Sequence, residues 1–292
     1  MASIRDLRGR IRSVGNIRQI TRAMEMVATT KLRRFQERAT SSRPYSQEIA
    51  GLVERLAAVL GESVEGRPLF RAGEGEGTAV LLVTSDRGLC GAYNSNLFRH
   101  LETWLFGRGS RPVAWFVIGR KGYQYLLRRG REVERYLVEP PLERMDYRAA
   151  AHTARQLSDA FLSGRFRDVV IVTTAFESVV RYVPTVVRLL PVAKAAAAEG
   201  ASGSGGAGDV ILEPDAEAIF DRIVPRYLET RVFNALLEAL TSEYASRRVS
   251  MRNATDAARD MGKVLKGIYN RKRQENITKE LLDIVGGVEA LR

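Results

Sequence analysis

The chain has 292 residues, 46 of them Lys or Arg against 34 Asp or Glu, for a formal net charge of +12. Such a length suggests one large or two modest domains. No run of eighteen or more apolar residues occurs, which excludes a membrane-spanning helix, and a single cysteine, Cys90, excludes an internal disulfide or a zinc cluster and makes a reduced, cytoplasmic setting the default.

The charge is unevenly spread: residues 1–43 carry +8, residues 244–273 carry +7, and the remainder sums to −3. Basic ends of this kind seek an acidic partner, whether nucleic acid, anionic lipid or an acidic protein surface. The first residues, MASIRDLRGRIRS, are Arg-rich like a transit peptide. Their apolar pattern continues into the next thirty residues, so they read as mature structure.

Residues 2 to about 60 read as one long helix. Ile4, Leu7, Ile11 and Val14 recur at helical spacing, and the stripe resumes at Ile17, Ile20, Met24 and Val27. The step from Val14 to Ile17 is three where a heptad wants four, a phase slip that contains Gly15. Pro44 kinks or splits this helix, and Ile49, Val53, Leu56 and Leu60 keep its apolar face to a stop at Gly61 and Gly66-Arg67-Pro68. Residues 71–77 form a linker.

Strand and helix patterns then alternate. Thr78–Thr84 is a buried strand, and Asn94 or Ser95 caps a helix to about Phe106. Pro112–Ile118 is a strand, Lys121–Arg129 a helix, Glu132–Val138 a weaker strand, and Tyr147–Leu162 a helix. Asp168–Thr174 is a strong strand, and Val179–Leu190, with Pro184, suits a sheet edge. The order predicts a small α/β, Rossmann-like layer domain over residues 78–192.

Residues 193–212 are Gly-rich and read as a flexible loop, and 213–292 as a C-terminal helix. Pro225 is either a kink or the first turn of its main part. Phe233, Leu237, Leu240, Tyr244, Met251, Ala254, Ala258, Met261, Leu265 and Ile268 form a heptad seam in which Arg247 fills the missing position. Ile277, Leu281, Ile284, Val288 and Leu291 follow out of phase. At ~1.5 Å per residue the span from Arg226 to Leu291 is a rod of ~100 Å.

Long helices gain most of their stability by packing. Residues 1–60 and 213–292 therefore pair with each other. The intervening α/β domain makes that pair an antiparallel coiled coil whose longer C-terminal helix protrudes as a single tip.

Recognisable chemistry is sparse. No Gly-x-x-x-x-Gly-Lys-Ser/Thr segment occurs. Gly88 and Gly91 form a strand-to-helix turn better than a phosphate cradle. His100 and His152 show no motif linking them to Cys90, and no metal-ligand cluster is evident. No catalytic residue, metal or cofactor is expected. A basic nucleic-acid-binding coiled coil would explain the charge, but Ile and Met spaced for burial run through the same helix, and an RNA-binding aromatic motif is missing. A small-molecule enzyme on the α/β domain would need a phosphate fingerprint.

Several segments carry more than a generic coiled coil: IRSVGNIRQITRAMEMVATTKLRR (Ile11–Arg34), SDRGLCGAYN (Ser85–Asn94), EPDAEAIFDRIVPRYLE (Glu213–Glu229), SEYASRRVSMRNATDAA and YNRKRQENITKELLDIVGG. In order and over nearly the whole chain they resemble the gamma subunit of F-type ATP synthases. Ile277, Thr278, Glu280, Asp283 and Gly287 match that family's C-terminal signature, with Val288 where Ala is usual.

The resemblance implies a non-catalytic rotor shaft that couples proton translocation to ATP synthesis or hydrolysis and regulates the ATPase. It further implies an alpha–beta hexamer around one copy of the shaft, an epsilon subunit and a membrane ring of c subunits as partners. The setting would be peripheral, on the cytoplasmic face of a bacterial inner membrane. On that view Lys31, Arg33, Arg34, Arg271, Lys272 and Arg273 present positive charge to acidic loops of the beta subunits. Arg273-Gln274 matches a position that hydrogen-bonds a beta subunit, and Met24 lies on the facing strip. The dithiol switch of the chloroplast form is excluded, because Ala193–Asp209 contains no cysteine.

Overall fold

The computed structural model describes residues 3–137, 139–192 and 215–289. The loop expected at 193–212 lies outside the described residues, as does the helix opening expected at Glu213.

Helix α1 runs Ile4–Leu60 and α5 runs Ala216–Glu289. Between them come β1 Gly77–Val83, α2 Tyr93–Gly107, β2 Val113–Ile118, α3 Arg120–Arg128, β3 Val133–Leu137, α4 Tyr147–Leu162, β4 Phe166–Phe176 and β5 Tyr182–Leu190. At the start of α1, Ser3 and Asp6 exchange reciprocal hydrogen bonds, each 3.1 Å, between side chain and backbone N–H. That capping arrangement satisfies donors the helix itself cannot pair, and it holds the Asp6 carboxyl below its ordinary range.

Neither proline ends its helix. Pro44 and Pro225 lie inside α1 and α5, both exposed. Each omits one N–H at a cost of about 3 kcal/mol. On a solvent face water can bind the freed carbonyl, and buried neighbours on the opposite face (Ile49 and Val53 in α1, Phe220 in α5) hold the helix on course.

The chain divides into two compact units, 1–29 with 247–292, and 30–246. The second contains a five-stranded sheet of order β3-β2-β1-β4-β5. Strands β1 to β4 pair in parallel, and β5 closes the edge antiparallel to β4. Pro184 therefore falls on an edge strand, where its missing donor is tolerated. Central β1 is buried throughout. Val80, Leu82, Trp115, Val117, Val170 and Val172 cover one face and pack on Leu97 and Leu101 of α2 and Leu126 of α3. Alternate residues point to the other face, where α5 lies: the Thr173 hydroxyl donates to the Ala235 carbonyl at 3.4 Å. Helix α4 sits beside α5, with Tyr147 edge-on to Phe233 at 5.5 Å. Its N-cap is Asp146, which accepts the Ala149 N–H at 2.9 Å.

Glu229 of α5 is the principal buried charge of this layer, its side chain 2% exposed. It accepts from Arg155 of α4 at 2.9 Å, from Arg226 at 3.0 Å and from the Tyr147 hydroxyl at 3.2 Å. A carboxylate so enclosed is tolerable only with this much compensation.

In the same unit α1 and α5 run antiparallel. Phe35 meets Tyr244 with ring centroids 5.4 Å apart, Ser42 donates to Asn234 at 3.2 Å, and Val53 and Leu56 cluster with Phe220 and Val224. In the unit formed by the chain ends the pairing is again antiparallel. Arg8 donates to the Tyr269 hydroxyl at 3.0 Å, and Thr21 and Thr255 share a hydrogen bond of 2.8 Å.

The seam there differs from the expected one. Leu7, Val14 and Ala28 are buried, with Ile11, Thr21 and Glu25 half-buried between them. These positions keep one heptad register through Arg18, so the phase slip at Gly15 does not exist. Ile17, Ile20 and Val27 are 51%, 59% and 53% exposed. On α5, Met251, Ala258 and Leu265 are seam residues as expected. Their alternates are Thr255, Gly262 and Tyr269, each one position beyond the expected Ala254, Met261 and Ile268. At Gly262 a Cβ would sit at ordinary contact distance, 3.8 Å, from Val14 Cγ1. Small and hydroxyl-bearing residues (Thr21, Ala28, Thr255, Ala258, Gly262) alternate in the seam with larger ones (Leu7, Val14, Met251, Leu265), and Ile17, Ile20, Val27, Met261 and Ile268 fall outside it.

One turn in the sheet unit requires glycine. Gly119 has φ +97°, and a Cβ there would collide with the Thr84 carbonyl, whose residue receives the Gly122 N–H on its Oγ1 at 2.8 Å. Gly119→Ala should therefore cost more than about 3 kcal/mol, read as a lowered urea midpoint of the free chain.

Candidate functional site

In an open parallel sheet the place for a ligand is the crevice at the carboxyl ends of the strands, where the order reverses. Here it lies between β1 and β4. The loop after β1 is built tightly: Asn94 donates to Ser85 Oγ at 2.7 Å and accepts the Ser85 N–H at 3.3 Å, while Gly91 and Leu89 take left-handed φ of 56° and 64°. Asn94 and Ser95 are therefore not the cap of α2. Ala92 holds that position without a side-chain bond, and Ser95 bonds the Ala92 carbonyl at 3.0 Å.

The chain's own α5 fills the crevice. Ser246 donates to the Cys90 carbonyl at 2.7 Å and accepts the Tyr182 hydroxyl at 2.9 Å. Ser242 donates to the Thr174 carbonyl at 3.2 Å, and the Tyr93 hydroxyl to the Ala239 carbonyl at 3.2 Å. Burial drives the Tyr93 phenol far above its ordinary range. Cys90 is buried, with Asn94 Nδ2 3.3 Å from its sulfur. The Rossmann-like layer thus serves as a platform for a helix.

The two long helices bear the other candidate surface. Apolar side chains stand outward on α1 (Ile17, Ile20, Met26, Val27) and on α5 (Met261, Val264, Ile268). Beyond Lys272, residues 273–285 are all exposed, with Ile277, Leu281, Leu282, Ile284 and Val285 among them. Exposed apolar area on this scale marks a contact surface. Sequence reasoning assigned Ile17, Ile20, Val27, Met261 and Ile268 to the seam; the observed register turns them outward.

Of the eight predicted contact residues, Arg33, Arg34, Arg271, Arg273 and Gln274 are exposed, and Met24, Lys31 and Lys272 are half-buried. Arg33 pairs with Glu37 at 2.9 Å and Lys272 with Glu275 at 3.1 Å, local contacts along one helix. Met24 and Arg271 to Gln274 belong to one unit but are not brought together. Met24 is one turn from Thr21 and hence level with Thr255, which lies 16 residues, or ~24 Å of helix, before Arg271.

Lys31 differs from the rest. Its ammonium is engaged by the Glu143 carboxylate, which also accepts the Tyr244 hydroxyl at 2.8 Å. Burial pushes the Glu143 carboxyl up, but donation from Lys31 and Tyr244 outweighs it and leaves the group below its ordinary range. Sequence reasoning missed Glu143 and Glu229, because a partner far along the chain leaves no spacing signal.

Two long antiparallel helices with a sheet platform bound to both, its ligand crevice filled from within, define a mechanical shaft subunit. A sequence model of the ATP synthase family matches residues 3–291. The ATP synthase gamma chains of Moorella thermoacetica and Geotalea uraniireducens are 40% and 37% identical to this chain, each over 100% of both sequences. The chain belongs to the ATP synthase gamma-chain family. Among solved structures, the rotor of Euglena gracilis mitochondrial ATP synthase aligns at TM-score 0.67 and 20% identity, covering 94% of this chain and 98% of that one. The central stalk of the Tetrahymena thermophila mitochondrial enzyme aligns at TM-score 0.59 and 25% identity, covering 80% and 99%.

Two outcomes follow from this geometry. Replacing Ile17, Ile20 and Val27 together with Ser should change the free chain's unfolding free energy by no more than about 1 kcal/mol, as measured in urea; a seam carrying those residues would lose several times that. Because the Glu143 carboxyl is depressed in the fold, its stabilisation is present above the ordinary carboxylate range and is lost as pH falls through the depressed value. Because the pair is about a third exposed, the urea midpoints of the parent and Glu143→Gln should differ only slightly at neutral pH and converge in acid.

Proposed function

We propose that this chain is the central rotor shaft of an F-type ATP synthase, coupling proton translocation in the membrane sector to ATP synthesis or hydrolysis in an alpha–beta hexamer and regulating its ATPase activity. One observation carries the reading: large apolar side chains of both long helices stand exposed outside the seam between them. That is the surface of a rod built to run inside something else. Full-length likeness to gamma chains supports it, and so does an α/β layer whose ligand crevice is filled by α5.

In this reading three alpha and three beta subunits enclose one copy of the chain, and an epsilon subunit and a ring of c subunits meet its base. The complex holds it at the cytoplasmic face of a bacterial inner membrane; among the described residues no helix is long and apolar enough to cross a membrane. Residues 1–60 and 213–292 act as the shaft and 78–192 as its base. Met24, Arg33, Arg34, Arg271, Lys272, Arg273 and Gln274 are its contacts to the surrounding subunits, while Lys31, paired with Glu143 and 33% exposed, joins them only in part. Exposed ion pairs are worth ~0–1 kcal/mol each, which suits a surface that must slide.

The test is reconstitution with the alpha and beta subunits of the same organism. A single particle with one copy of this chain per three of each, with Mg-ATP hydrolysis absent from this chain alone, is the expected outcome. No complex, with salt-sensitive binding to DNA or RNA instead, would overturn the reading.

A further inference from the structure

We propose that Glu143 is a positioning residue for energy coupling: one carboxylate fastens the sheet layer to both long helices, so that torque passes between them. The proposal rests on the rotor reading above. Glu143 sits on a short turn, Leu142–Arg144, between β3 and α4, anchored by buried Leu142 and Met145 on either side. Its Oε1 pairs with Lys31 of α1 and its Oε2 accepts the Tyr244 hydroxyl of α5 at 2.8 Å. The Lys31 ammonium lies 5.5 Å from the Tyr244 ring centroid, and that ring packs on Phe35 of α1. Three segments distant in sequence thus converge on one side chain.

The attachment of the sheet to the two helices is asymmetric. Helix α5 is bonded to it at Ala235, Ala239, Ser242 and Ser246. Helix α1 reaches it through the Glu143 connector, by Lys31 and by Arg38, which donates to the Met145 carbonyl at 3.4 Å. An antiparallel pair under torsion can roll one helix against the other. A charged group bonded to both at one level opposes that roll, because charge-assisted bonds are directional. The Lys31 and Glu143 side chains are 33% and 37% exposed, so the pair adds little to equilibrium stability. A coupling role therefore separates from a structural one: stability should scarcely change while transmission falls.

The experiment uses the complete complex in vesicles and measures ATP-driven lumen acidification per ATP hydrolysed, alongside complex mass and melting temperature. Lys31→Glu and Glu143→Lys should each lower that ratio by about threefold or more, and the double swap should restore it to within about a factor of two. Tyr244→Phe, which keeps the ion pair, should fall between. An unchanged ratio in the single variants, or a loss that the swap does not repair, overturns the proposal. If either single variant fails to assemble, the near-isosteric Glu143→Gln decides it: a reduced ratio at parental mass and melting temperature supports the brace, and an unchanged ratio overturns it. A parent complex that hydrolyses ATP without acidifying the lumen would overturn the rotor reading instead.

Discussion

The pairing of two antiparallel helices is the constraint from which the rest follows. Neither α1 nor α5 can hold its length alone, since an isolated helix is marginal in water and most helical stability comes from packing. Where the chain ends pair, Val14 faces Gly262, Thr21 and Thr255 share a hydrogen bond, and Ala28 and Ala258 are buried. Small residues at these points take up little room, and the paired hydroxyls satisfy one another. Ile17, Ile20, Val27, Met261 and Ile268 fall outside the seam and stand exposed. The seam register thus decides which apolar side chains are left for partners in the proposed rotor.

The sheet unit solves a different problem. Its α1–α5 contact uses large residues, Phe35 with Tyr244 and Val53 with Phe220, and full burial of such a side chain contributes about 1.5–3 kcal/mol. Here α5 also forms one layer of the α/β fold. Lying over the carboxyl ends of β1 and β4, it takes up the crevice that other sheets of this type give to a nucleotide. Its buried Glu229, held by Arg155, Arg226 and Tyr147, fixes α4 beside it. A fold often used for catalysis becomes a mounting.

Charge is treated differently at the two levels. Along the helices Arg33 and Lys272 meet acids a turn away on the same helix. Within the sheet unit Lys31 and Glu143 join segments far apart in sequence. A basic residue in a charged run thus has one of two uses, and the run itself does not say which.

The sequence alone was enough to determine the element order, because periodicity and breakers are local: both long helices, the five strands and the edge position of Pro184 were legible there, and five family segments in order pointed to the gamma chain. Tertiary structure decided the register. Extending the apolar spacing led to Ile17, Ile20, Met261 and Ile268, since pattern analysis rewards hydrophobicity, whereas the packed seam also takes Thr21, Thr255 and Gly262 at points of contact. Structure also decided that Asn94 braces Ser85 and is not a cap, and that α5 fills the sheet's crevice. It likewise paired Glu143 with Lys31 across 112 positions. Local preferences are written along the chain, but steric fit and the pairing of distant charges exist only once segments far apart in sequence are brought together.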